Sequence, residues 1–309
     1  MRWGDKRYHS LDYELKKIFG EKVLKLSLNG NFTCPNRDGT IGTKGCLFCS
    51  EKGSGEFAAP AKLSISEQIQ QQKKFLSKKW TANKYIAYFQ SFTNTYAPVQ
   101  QLKQKYKEAL SSPDIVGLAI ATRPDCLPEE TLNLLEELNQ ITYLWIELGL
   151  QTIHEQTAKL IRRGYDIACF ENAIAELKKR NIPVAAHLIF GLPYETEQDM
   201  LASVQYIAAT GIQGIKIHLL HILKDTDLYR FYQEHPFPLL TQEKYISLIV
   251  NALEILPPEM VIHRLTGDGA QDLLFAPKWS INKKAVLNGI QHELKKRNTY
   301  QGIRYPQQR

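Results

Sequence analysis

Apolar residues run along this chain in two alternating patterns. Six short stretches are almost continuously apolar: VLKLSL (23–28), YIAYFQ (85–90), IVGLAIA (115–121), YLWIELGL (143–150), PVAAHLIF (183–190) and GIKIHLL (214–220). Such runs are what strands covered on both faces look like, as in a parallel sheet wrapped by helices. Between them lie longer stretches with helical spacing, among them Ile167, Phe170, Ile174 and Leu177. Cap signals delimit these stretches. Ser64 and Glu67 form a capping box ahead of EQIQQQKKFL, and Pro98 suits the first helical position of PVQQLKQKYKEALSS. Asp166 caps IACFENAIAELKKRN, Thr196 with Asp199 opens EQDMLASVQYIAAT, and Gly211 closes it.

The alternation predicts an α/β fold, a partial (β/α)6 TIM-like barrel with a helical C-terminal extension. The core, including the N-terminal segment, is expected over 1–236 and the mostly helical extension over 237–309. Within the extension, TQEKYISLIVNALEIL and INKKAVLNGIQHELKKRN read as helices and VIHRLTGDG as a strand and turn between them. LTGDG (265–269) reads as a turn, either closing the pocket or simply connecting, and YQGIRYPQQR as a loosely held tail.

A hydrophobic content of 43% with 23% charged residues excludes a disordered chain. No apolar run approaches the roughly 20 residues that span a bilayer, so no membrane association is expected. The N-terminus lacks a secretory signal, and five cysteines make an odd number, which argues for a reducing, cytoplasmic setting. The net charge of +7 favours phosphate-rich partners such as nucleic acid, with a merely solubilising role as the alternative.

In barrels of this kind the loops at the carboxyl ends of the strands carry the chemistry. Cys34, Cys46 and Cys49 follow the first strand in the spacing C-x11-C-x2-C. QSFTNT, TRPD, LQTIHE, GLPYET and HILKDTD follow the others. Thiolates ligate zinc or iron–sulfur clusters. A closed zinc site wants four ligands, and Cys126 and Cys169 read as buried small hydrophobes. Three thiols on a four-iron cluster leave one iron open to a small-molecule ligand. Gly39, Gly42 and Gly45 let the loop wrap such a cluster closely.

Three cysteines after the first barrel strand, with Phe48 just before the last, resemble the radical S-adenosylmethionine superfamily, although its usual spacing is C-x3-C-x2-C. IATRPDCL, IELGLQTIHEQTAKLIRRGYD and HLIFGLPYET are similar to segments of the Elongator catalytic subunit and the oxygen-independent coproporphyrinogen oxidases, within a YhcC/YtqA-type branch. The resemblance implies a [4Fe-4S] cluster on Cys34, Cys46 and Cys49 and S-adenosylmethionine on the open iron. One electron then cleaves the sulfonium and yields a 5′-deoxyadenosyl radical. Phe48 is expected near the adenine, and Gln90 and Ser91 replace the family's GGE-like segment. Gln151 and Arg163 match cofactor-contacting positions, the guanidinium as a fork for a carboxylate. Arg123 is expected to hold a carboxylate or phosphate, while Asp125 caps the next turn. Ala121 stands where relatives carry a glutamate, so a ribose contact falls to Glu147. His187 reads equally as a cofactor contact or a satisfied core histidine. His218, His221, Lys224 and Tyr194 are the candidates for handling substrate or the product radical.

The similarity to the Elongator subunit points to tRNA as partner, and to a modification of the C5 side chain of wobble uridine. The chain lacks that subunit's acetyltransferase domain, so different chemistry is expected, for instance trimming carboxymethylaminomethyl to aminomethyl. A reductase or flavodoxin-type protein is the expected electron donor. The alternative substrate is a porphyrin or other small acid. From another class, a zinc-stabilised noncatalytic nucleic-acid-binding module would leave the glycine and arginine pattern on the other strand ends unexplained.

Overall fold

The structure is a computed structural model that describes residues 2–53, 55–267 and 269–306. Asp268 of the LTGDG turn and the last three residues of the tail therefore lie outside the described residues. All six expected strands form: β1 (Val23–Leu28), β2 (Lys84–Phe89), β3 (Ile115–Thr122), β4 (Tyr143–Gln151), β5 (Val184–Phe190) and β6 (Gly214–Leu219). A two-residue strand β7 (Ile222–Leu223) pairs antiparallel with β9 (Leu274–Ala276), and β8 (Val261–Arg264) lies between them in sequence. The sheet has seven strands in the order β1-β2-β3-β4-β5-β6-β8, every neighbouring pair parallel. The strand expected within VIHRLTGDG thus joins the barrel as its last member instead of packing on it from outside. A partial barrel of seven strands replaces the expected six.

Alternation along each strand separates two layers. Outward residues such as Leu26, Phe89, Leu118, Ile146, Leu188 and Ile217 pack beneath the covering helices. Inward residues Ile86, Tyr88, Ala119, Ala121, Trp145 and Ala185 form a smaller cluster with Leu11 and Leu15. Those two leucines belong to α1 (Leu11–Phe19), a helix not among those expected although Leu11, Leu15, Ile18 and Phe19 recur at helical spacing. Ser10 caps α1 and bridges Ile262 of β8, so the N-terminal segment plugs one end of the barrel and meets its last strand. Both capping boxes form, Asp166 accepts from the Cys169 amide, and Gly211 follows its helix at φ +67. Pro98 occupies the cap itself, one residue before Val99–Leu110 begins.

The tail is not loose over its described part. Gln301 is fully buried, accepts from the His9 amide at 2.8 Å, and donates to the Pro257 and Met260 carbonyls at 2.6 and 2.8 Å. A residue with that many internal bonds is an anchor. Among the described residues no helix is long and apolar enough to cross a membrane.

Candidate active site

A cavity of about 390 Å³ opens at the carboxyl edge of the sheet, a volume within the usual range of cofactor and ligand sites. Its mouth is lined by Cys34, Cys46, Phe48 and Cys49, its wall by Gln90, Thr122, Gln151 and Tyr165, and its floor by Glu147, His187, Lys216 and Arg264.

The cysteine loop explains its own spacing. After Cys34 the chain makes an excursion and returns. The Arg37 and Asp38 amides donate to the Cys34 carbonyl, and the Ile41 and Gly42 amides donate to that of Pro35. The Gly45 amide donates to the Asn36 carbonyl at 2.7 Å. Residues 37–44 are therefore a lariat cinched at its base, which brings Cys46 back beside the chain that carries Cys34. Gly45 is required there. Its φ is +73, and a Cβ would lie 2.8 Å from Arg37 Nε. The Arg37 guanidinium donates to the Cys49 and Ser50 carbonyls at 3.0 and 2.6 Å and so clamps the two halves together. The Asn36 side chain donates to Cys46 Sγ at 3.4 Å and to the Arg162 carbonyl at 2.7 Å. Leu47 bonds the backbone of Ile161 and Leu228.

The floor is a buried charge network centred on Glu147, whose side chain is wholly buried. Its Oε2 accepts from Lys216 Nζ at 2.6 Å and Tyr88 OH at 2.7 Å, and lies 2.9 Å from His187 Nε2. Its Oε1 accepts from Trp145 Nε1 at 3.3 Å and lies 3.6 Å from Lys25 Nζ. Lys216 also donates to Tyr88 OH at 2.7 Å. His263 Nδ1 is 3.7 Å from Oε1, and its ring has room because Gly214 has no Cβ to meet it. Burial alone raises the Glu147 carboxyl, but Lys216 and Lys25 outweigh it and hold the group well below the carboxylate range. Burial, then Lys216, pushes His187 down to about 4 and His218 well below its usual value, so both rings are neutral at pH 7.

The expected residues divide sharply. Cys34, Cys46, Phe48, Cys49, Gln90, Arg123, Glu147, Gln151, His187, His218 and His221 all line the cavity. Ser91 does not: it is fully buried against Gly55. Arg163 is 1% exposed and donates to the carbonyls of Tyr165, Leu150 and Thr152 and to Glu155. Its fork holds the chain's own backbone, away from the cavity, and this corrects its assignment as a carboxylate clamp. Arg123 lines the cavity, but its Nε and one terminal nitrogen form a bidentate pair with Asp125 at 2.9 and 2.6 Å. Its fork is therefore filled, and Asp125 is its partner. Glu147 is saturated by the network, which corrects the expected ribose contact. Lys224 is exposed and outside the cavity. Tyr194 is 63% exposed on the surface beside Phe231 and Phe237. Neither can manage a radical inside the barrel. Lys25, Arg37, Tyr88, Tyr165, Lys216, His263 and Arg264 were missed. For Lys25 and Lys216 the signal was a charge inside an otherwise apolar strand, which has to point into a polar lumen.

The donor set fits a thiolate-ligated cluster. Cys46 shows why a cation belongs there: burial and the neighbouring Cys49 push its thiol up to about 12. Bound positive metal reverses that cost by stabilising the thiolate. Three soft sulfur donors gathered on one rim of a cavity suit iron–sulfur ligation.

Comparison with known proteins agrees. Residues 37–207 match the family model described as the radical SAM superfamily, and residues 212–296 match a Radical_SAM C-terminal domain. The chain is 49% identical to the uncharacterised protein YtqA of Bacillus subtilis, over 96% of this chain and 92% of that protein. It is 28% identical to the tRNA uridine(34) acetyltransferase of Methanocaldococcus infernus, over 50% of this chain and 29% of that protein. It therefore spans under a third of that relative. The structure of the Methanocaldococcus infernus Elp3 with an N-terminal deletion superposes with a TM-score of 0.68 at 18% identity, covering 90% of this chain and 64% of that one, which shows a shared fold. With half the chain and more matched by its model, the protein belongs to the radical SAM superfamily, enzymes that use a [4Fe-4S] cluster and S-adenosylmethionine.

Proposed function

We propose that this radical SAM enzyme removes a hydrogen from the C5 side chain of a wobble uridine in tRNA, trimming carboxymethylaminomethyl to aminomethyl. The carbon radical loses a second electron, taken up by the redox partner, and a proton to leave an imine. Water hydrolyses the imine on release to aminomethyluridine and glyoxylate. The observation that carries the reading is the cavity: three thiols and Phe48 at its mouth stand across from a polar floor inside one barrel. When bound, the cluster and S-adenosylmethionine supply a reducing electron and a 5′-deoxyadenosyl radical.

The chain's own residues do the rest. Cys34, Cys46 and Cys49 hold the cluster, with Arg37 and Asn36 fixing the loop that presents them. Phe48 would pack on the adenine, and Gln90 and Gln151 would bond the polar edge of the nucleoside, Gln151 oriented by the Tyr165 hydroxyl at 3.1 Å. His187 lines the floor, its Nε2 2.9 Å from Glu147 Oε2. The apolar wall of Ile189, Leu219 and Leu220 excludes water from the reacting atoms. Delivery of the electron falls to a reductase or flavodoxin-type protein.

For tRNA, the net charge of +7 supports a polyanion, as does similarity to a relative named for uridine 34. Nucleoside analysis of tRNA from a deletion strain tests it. Accumulation of 5-carboxymethylaminomethyluridine with loss of aminomethyl derivatives is expected. An unchanged wobble profile removes the tRNA part.

A further inference from the structure

The positive charge of the chain is concentrated in one stretch. Residues 68–107 hold eight lysines and no Asp, Glu or Arg. Taking these from the 39 Lys and Arg leaves 31 basic residues against 32 acidic ones, so the rest of the chain is close to neutral. Three of the eight are compensated from outside the stretch: Lys73 by Asp114 at 2.5 Å, Lys84 by Glu21 at 3.4 Å and Lys103 by Glu137 at 2.8 Å. Lys74, Lys78 and Lys79 are exposed and form no ion pair among the described residues. They lie on or just past α2 (Ile65–Ser77), and α3 (Val99–Leu110), packed beside it, adds Lys105 and Lys107.

The same face keeps apolar rings in water. The exposed large aromatic side chains among the described residues are Phe57, Phe75, Trp80 and Tyr194, and the first three follow α2. Phe57 lines the cavity rim, and its carbonyl accepts from Gln72 Nε2 of α2 at 3.2 Å. Phe75, 59% exposed, comes one turn further along. Trp80, 52% exposed, stands at the foot of the helix with Lys22 Nζ 3.4 Å from its ring centre. Gln68 donates to the Asn29 carbonyl just past the carboxyl end of β1, whereas Lys22 precedes its first residue. The helix therefore descends the height of the sheet, roughly 20 Å for its 13 residues. The helix dipole accounts for lysines in the last turn, but not for rings held in water beside them. Lysines that neutralise phosphates, interleaved with rings on which bases stack, are what a single-stranded nucleic acid requires.

We propose that this face of α2 seats the loop of the substrate RNA. Its phosphates lie along Lys74, Lys78 and Lys79, its unpaired bases stack on Phe75 and Trp80, and Phe57 marks where the strand turns into the cavity. This rests on the tRNA reading for the kind of RNA that is bound. An acidic electron-donating protein would also meet lysines here. Its task is to approach the thiols at the mouth, and it has no use for Trp80 at the opposite edge of the sheet.

Fluorescence anisotropy of a labelled anticodon stem-loop bearing 5-carboxymethylaminomethyluridine, titrated with the holoenzyme at several salt concentrations, tests this. A blunt RNA duplex serves as control, and each variant is checked for its fold by circular dichroism. Lys74→Gln/Lys78→Gln/Lys79→Gln should raise the stem-loop Kd at least about tenfold and lower the slope of log K against log salt by about 2–3. Phe75→Ser/Trp80→Ser should weaken the stem-loop at least about fivefold and leave the duplex within about twofold. Lys284→Gln/Lys295→Gln/Lys296→Gln removes the same charge from the last helix, Lys283–Lys296, and should change Kd by less than about twofold. Equal weakening by the two lysine triples would show that net charge alone acts, and overturns the proposal. So does unchanged RNA affinity in the α2 triple, with or without weaker binding of a flavodoxin. The failures of the two readings separate. A stem-loop held through α2 yet returned unmodified removes the wobble chemistry and keeps the face. Modification at the wild-type KM by both α2 variants keeps the chemistry and removes the face.

Discussion

Glu147 is the residue on which the lumen depends. It compensates Lys216 at 2.6 Å and Lys25 at 3.6 Å in the dry interior of the sheet. Glu147→Gln keeps the shape and removes the charge, stranding two ammonium groups. A loss of roughly 3–5 kcal/mol in unfolding free energy is expected from urea titration of the cluster-free protein. Tyr88→Phe, which removes one hydroxyl from the same carboxylate, should cost only about 1–2 kcal/mol. Equal effects would mean that hydrogen bonding, and not charge compensation, organises the floor. At this scale the thiols were legible because cysteine spacing is local in sequence. Arg163 misled because a motif match identifies a position without showing that neighbouring carbonyls have consumed its donors, and Glu147, chosen to replace the glutamate missing at Ala121, because its lysine partners are distant in sequence. Lys25 and Lys216 were readable in VLKLSL and GIKIHLL, since a lysine inside a covered strand needs a partner.

Among the elements, the cysteine lariat is the most exacting. Its closure depends on Gly45 at φ +73, beside Arg37. Gly45→Val is expected to cut iron bound per chain to less than about half under reconstitution, because a β-branched residue in the left-handed region and against the guanidinium displaces Cys46. Unchanged iron would show that the excursion does not set the position of Cys46. The long gap between Cys34 and Cys46 had no physical account in the sequence. The return of the chain rests on backbone bonds from Gly45, Ile41 and Gly42, which leave no side-chain pattern. Helix α1 shows the same limit from another side. Leu11 and Leu15 gain their meaning only from the barrel end they plug, and Leu15→Ala should cost about 2–5 kcal/mol by thermal or urea unfolding.

At the scale of the whole molecule, the alternation of strands and helices was enough for the barrel, because covered parallel strands announce themselves. The closure of the chain ends was not, since Gln301 meets His9, Pro257 and Met260 only through long-range bonds. The buried histidines give the molecule a pH dependence of definite sign. His187 takes up its proton near pH 4 in the folded state and near 6.5 when unfolded. Stability is therefore full above the unfolded value and falls as pH drops through the window from 6.5 towards 4. Between pH 7 and pH 5 the His187 share is roughly 2 kcal/mol. His187→Gln should flatten the slope of urea midpoint against pH by that amount, and an unaltered slope would place the ring's titration elsewhere.

The chemistry itself is tested most directly by isotope. A stem-loop whose carboxymethylaminomethyl group carries deuterium on the methylene beside the carboxylate is incubated anaerobically with the enzyme, S-adenosylmethionine and reductant. The account requires deuterium to appear in 5′-deoxyadenosine as aminomethyluridine forms, and both products to vanish in Cys46→Ala. Unlabelled 5′-deoxyadenosine beside an unmodified RNA would contradict it.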